Sequence, residues 1–117
     1  MSWARSTHRV LVTLIVAGVG VQFLLAGAGA FGATSFNAHR ALGWALLFLA
    51  GIAFVVALAA MRLVRHSGAL LLVVALQAGL GVLGAETQAW FGALHGLNAL
   101  AVMAAAGTLA RRAWLAK

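Results

Sequence analysis

QFLLAGAGAFGATSFNAHRALGWAL, residues 22–46, and QAGLGVLGAETQAWFGALHGLNALAV, residues 77–102, are two copies of one pattern. Each opens on a glutamine (Gln22; Gln77) and continues with small residues at +4 and +7 (Ala26 and Gly29; Gly81 and Gly84). After a short link, a second apolar run opens with a histidine (His39; His95). The offset is 55 positions at the glutamines and 56 at the histidines, one extra residue lying in the second link. A unit of two membrane-crossing runs restarts on the side it left. Its duplication is therefore a parallel repeat, with a pseudo-two-fold axis along the membrane normal.

Around this repeat the text is apolar enough to span a bilayer. Charge-free runs cover 10–31, 41–61, 69–85 and 90–110, against the roughly 20 apolar residues needed to cross. With their flanking turns they give four helices at about 10–31, 38–61, 68–86 and 89–110, in a single domain over 1–117. The third is the shortest. The predicted fold class is all-α: an integral membrane four-helix bundle, up-down-up-down, built from two parallel two-helix repeats. Composition agrees, with 65% hydrophobic and 8% charged residues, where a soluble domain carries about 25% charged. The absence of cysteine excludes disulfides, thiolate metal sites and thiol nucleophiles.

A net charge of +7 would suggest nucleic acid in a soluble chain, but the positions of the charges exclude it. Arg5 and Arg9, Arg62 and Arg65, and Arg111, Arg112 and Lys117 all fall at one end of the bundle, leaving Arg40 and Glu86 at the other. Basic residues mark the cytoplasmic side, so both termini are expected in the cytoplasm, with the chain in the plasma (inner) membrane and the lipid bilayer as its first partner. Trp90, Phe91 and Phe36 suit an outer aromatic belt, Trp3 and Trp114 an inner one. The first run, with its basic lead and its LLAGAGA end, has the look of a signal peptide, but removing it would destroy the repeat.

In an up-down-up-down bundle with short links, the second and fourth helices lie on one diagonal. His39 and His95 then face each other across the axis at matching depth near the outer surface. Neighbouring axes about 8–10 Å apart put that diagonal at roughly 11–14 Å, a gap expected to be too wide for two imidazoles to touch and suited to imidazole, iron, imidazole. A lone intramembrane histidine reads as an interhelical hydrogen-bonding residue. A symmetric pair reads as a ligand set, because ligating groups inside a membrane are costly and usually functional. A small divalent ion would want further carboxylate or imidazole ligands that no span supplies.

Gly43, Gly84 and Gly92 are candidates for making room around a flat macrocycle, or for simple close packing. Arg40 is a candidate partner for carboxylates at the outer surface or for lipid phosphate. Gln22 and Gln77 would bound the inner edge of a cofactor or serve as interhelical bonding residues. His8 and His66 form a second diagonal pair at the inner end, but they sit 14 and 11 residues from their glutamines. The repeat does not align them, so one haem is expected rather than two. Asn98 reads as a helix-contact residue and Glu86 as a solvated one.

In the segments QFLLAGAGAFG…AHRALGWA and QAGLGVLG…LHGLNALA the chain resembles the four-helix b-haem bundles of the haem A synthase family and the transmembrane b-type cytochromes. In such bundles histidines near helix ends are axial haem ligands, a role the resemblance carries to His39 and His95 alone. It corresponds to one bundle, half of a haem A synthase, without an acidic residue at membrane depth. The function implied is a small b-type cytochrome with one bis-histidine haem b near the outer face, for electron transfer or haem handling. A quinol or an outer-side redox protein would be its partner. The rival expectations are a haem-dependent, quinone-linked membrane oxidoreductase and a cofactor-free scaffold or transport subunit. A small multidrug exporter matches in size but needs an intramembrane acid, for which Glu86 stands too near the outer link.

Overall fold

The structure, a computed structural model, describes residues 2–115; Lys117, assigned above to the inner side, lies outside them. The chain forms four helices, α1 (Ser2–Ala30), α2 (Asn37–Ala59), α3 (Val64–Glu86) and α4 (Ala89–Leu115), each long and apolar enough to cross a membrane. This is a membrane protein with an all-α, four-helix fold. Its longest dimension is 45 Å, about the thickness of a bilayer with its headgroups.

The helices run past the bounds set by charge. α1 starts at Ser2 and α4 continues to Leu115, so Arg5, His8, Arg9, Arg111 and Arg112 lie within helices. Arginine is a good helix former, and neither proline nor glycine interrupts these ends. Charge ends a membrane span but not a helix. For the same reason α3 begins at Val64 and, at 23 residues, shares the shortest length with α2. Links 31–36, 60–63 and 87–88 are short and make successive helices antiparallel. Gly32, at φ 74°, takes the left-handed conformation in the first link that a Cβ would oppose. Each helix packs against two neighbours, α1 with α2 and α4, and α3 with α2 and α4. Helices α2 and α4 therefore occupy one diagonal, α1 and α3 the other.

The buried core repeats with the sequence. At an offset of 55, Val12, Ile15 and Val19 match Ser67, Leu70 and Val74. At 56, Leu46, Ala50, Ala53 and Ala57 match Val102, Ala106, Leu109 and Ala113, and every one of these residues is buried. Their spacings of three and four trace one face of each helix. Continued toward the end of the bundle away from the helix ends Ser2 and Leu115, termed the outer end (the opposite one the inner), those faces reach Gln22 and Gln77 on α1 and α3, and His39 and His95 on α2 and α4. The apolar residues pointing away from the core, among them Leu14, Leu24, Phe48, Val55, Leu72, Leu97 and Leu100, are exposed and form a lipid-facing surface.

Candidate functional site

The inward faces bring the two histidines together. The rings of His39 and His95 lie edge to face, with centres 6.1 Å apart and planes at 68°. That is inside the range of paired aromatic rings, so the expectation of a gap too wide for contact is corrected. The side chains reach toward the axis from helices whose backbones are not neighbours.

Each histidine is oriented by its own repeat. Nδ1 of His39 lies 3.3 Å from the backbone carbonyl of Gln22, and Nδ1 of His95 lies 2.8 Å from that of Gln77. A carbonyl only accepts, so Nδ1 carries the proton in both rings and Nε2 is left with its lone pair. Metal-binding histidines are commonly fixed in this way, their second nitrogen donating to a backbone carbonyl. Both carbonyls belong to helices whose next residues could have satisfied them internally, so each histidine takes a second share of an oxygen with two lone pairs.

Of the glutamine side chains, that of Gln77 is held and that of Gln22 is not. Asn98 Nδ2 donates to Gln77 Oε1 at 2.7 Å and to the Val73 carbonyl at 3.0 Å. The position equivalent to Asn98 is Leu42, which offers no donor. Gln22 Oε1 is accordingly buried without a hydrogen-bond partner among the described residues. Asn98 acts as a helix-contact residue, but a polar one tied to the site, a role its place one turn after His95 could have signalled.

The glycines divide into two kinds. A Cβ on Gly43 would meet Gln22 Nε2 at 3.0 Å, and one on Gly81 would meet Cε1 and Nδ1 of His95 at 3.0 Å, so both lie against site side chains. A Cβ on Gly84 would lie 2.5 Å from the backbone nitrogen of Gly92, which makes this pair a backbone crossing between α3 and α4. Gly92 itself has open space where its Cβ would stand. Arg40 is exposed beside His39, and its equivalent is Gly96.

At the inner end His8 does not pair with His66. It is buried, 4% exposed, and its Nε2 shares a 2.9 Å hydrogen bond with Ser67 Oγ across the α1–α3 diagonal. Ser67 belongs to no motif in the sequence, yet it stands at the register of Val12 as the one hydroxyl in the buried series. Nearby, Arg9 Nε donates to the Ala113 carbonyl and its guanidinium lies over Trp114, whose Nε1 donates to Thr13 Oγ1. These bonds fasten α1 to α4.

No protein-family model matches the chain, and no curated protein or solved structure matches it significantly. Among the described residues no group of three or more histidine, cysteine or carboxylate side chains could enclose a metal ion. The outer site thus offers two imidazole nitrogens and no further ligand of that kind. Such a donor set suits a metal that brings its own equatorial ligands.

Proposed function

We propose that the protein is a small membrane b-type cytochrome in which His39 and His95 are the axial ligands of one haem b, for electron transfer or haem handling near the outer face. One observation carries this reading: two symmetric histidines from diagonal helices, each with Nδ1 committed to a backbone carbonyl and Nε2 free, with ring centres 6.1 Å apart. Two metal–imidazole bonds of about 2 Å, with about 1 Å more from each nitrogen to its ring centre, require roughly 6 Å. The distance suits such a pair, but both rings would have to present their Nε2 edges to the metal, so one of the two imidazoles, edge to face at 68°, would turn on binding. The porphyrin would supply the four equatorial nitrogens that the chain does not.

The remaining residues follow from this placement. Gln22, Gln77 and Gly43 would border the macrocycle's inner edge, and Arg40 would pair with propionates turned outward. Gly84 and Gly92 would set the crossing of α3 and α4 beside it. The similarity to half of a haem A synthase and to the b-type cytochromes belongs to this reading. A haem held by both histidines would favour outer-sphere electron exchange, with a membrane-dissolved quinol or an outer-side redox protein.

The basic residues gathered at one end support an orientation with both termini in the cytoplasm, for a chain in the plasma (inner) membrane. Cysteine at Thr34 or Thr87 should then be labelled only from outside, and labelling from the cytoplasm alone would overturn that orientation. The haem assignment is tested by the optical spectrum of protein purified after haem-supplemented expression. Sharp, split bands on reduction are expected. A colourless, folded protein would favour a cofactor-free scaffold.

A further inference from the structure

Three differences between otherwise matched halves fall around the two histidines, and all act in the same direction. At the first, α3 carries Gly81 where α1 carries Ala26. The His95 ring lies 3.0 Å from where a Cβ on Gly81 would be, so it occupies space that on α1 is taken by a methyl. Second, the Nδ1-to-carbonyl distance is correspondingly 2.8 Å for His95 and 3.3 Å for His39. Third, Asn98 ties α4 to α3 by two further bonds one turn from His95, while Leu42 leaves α2 without them and Gln22 Oε1 without a partner.

A hydrogen bond from Nδ1 to an acceptor makes an imidazole a stronger ligand and fixes its direction. His95 is therefore the better-oriented ligand, on the better-anchored helix. Resting on the haem reading above, we propose that His39 is an exchangeable ligand, and that the reduced iron binds a small neutral diatomic molecule at the position His39 gives up while His95 stays bound. The step breaks the bond from iron to His39 Nε2 and forms one from iron to the incoming ligand. No electron is transferred, and His39 keeps its Nδ1 proton.

Carbon monoxide is the probe. The dithionite-reduced protein in micelles should first show a low-spin spectrum and then convert to a carbon monoxide adduct. Giving the His39 side the features of the other, in the double variant Ala26→Gly, Leu42→Asn, should slow conversion by about tenfold or more, from two added restraints on one ligand. Removing the restraint on the other side with Asn98→Leu should not slow it, and this variant decides the matter if the double variant does not fold. Low-spin protein that takes up no carbon monoxide would overturn the exchange and leave the haem reading standing. So would a double variant that converts as fast as the unaltered protein, or an Asn98→Leu variant that converts more slowly. A preparation with no haem before the gas is admitted would overturn the haem reading, and this proposal with it.

Discussion

The inner and outer halves of the bundle are built from the same four helices and packed in different ways. Among the described residues every buried one lies within 4–19, 46–60, 67–74 or 102–113, and 20–45 and 75–101 contain none. The inner half joins Ile15, Leu70 and Leu109 to a set of alanines, Ala50, Ala53, Ala57, Ala106 and Ala113, that let the helices close. Between lipid-exposed helices, association depends on this kind of close packing rather than on a hydrophobic force. The outer half keeps the helical register but places glutamine, histidine and glycine on the inward faces. One half holds the fold, and the other displays polar groups on it.

If that division is right, the largest effects should be confined to one half at a time. His39→Ala or His95→Ala should abolish the low-spin haem spectrum while leaving helix content and unfolding in micelles close to those of the unaltered protein. His8→Ala should leave the spectrum unchanged. Retention of a full low-spin spectrum in both outer variants would end the assignment of these residues as ligands. The converse substitution is Ile15→Ala, at a position with no exposure. A cavity there should cost about 2–5 kcal/mol in unfolding, with the band positions of the remaining folded protein unmoved. A shift in those bands would show that the two halves are coupled.

A smaller contrast lies within the outer half. Gly84→Ala puts a methyl 2.5 Å from the backbone nitrogen of Gly92, where no side chain can move aside. Overpacking of this kind costs about 1–3 kcal/mol. Gly92→Ala points its methyl into open space and should be neutral or slightly stabilising, since alanine favours a helix over glycine. Equal costs for the two, measured by denaturant unfolding, would mean that the crossing is not the close backbone contact described.

How legible these features were in the sequence depended on whether the signal was repeated. The four spans, the antiparallel order and the diagonal pairing of His39 with His95 follow from apolar length, link length and a duplicated pattern. The extension of α1 and α4 through their arginines was missed because charge was taken to end a helix as well as a span. The same series of offsets that aligned the glutamines would have identified the core, since Val12, Ile15 and Val19 lead directly to Gln22. The bond between His8 and Ser67 could not be read from it, because His8 has no counterpart at its own register, where α3 is preceded by Leu63. Nor could the close approach of the imidazoles, which depends on how far side chains reach from helices that do not touch. The departures from the repeat, Ala26 against Gly81 and Leu42 against Asn98, were legible as letters but acquired meaning only once the hydrogen bonds were known.

The smallest expected effect tests whether the inner half is as apolar in its energetics as in its composition. Ser67 and His8 are the buried polar residues in that half, and they meet each other. Ser67→Ala removes the hydroxyl and leaves His8 Nε2 facing alanine, a loss that in water-soluble cores costs about 1–3 kcal/mol for the abandoned group. Interhelical hydrogen bonds in membrane proteins average nearer 0.6 kcal/mol, because the unfolded chain in a membrane also finds partners. The lower figure should apply here, since His8 lies between Arg5 and Arg9, which mark the water boundary, and can turn toward it. The double variant His8→Leu, Ser67→Ala should recover most of the loss, as apolar groups replace both partners. A cost well above 2 kcal/mol for Ser67→Ala, without recovery in the double variant, would show that this bond holds α1 against α3 as firmly as the alanine packing does. The inner half would then owe its closure to a polar latch.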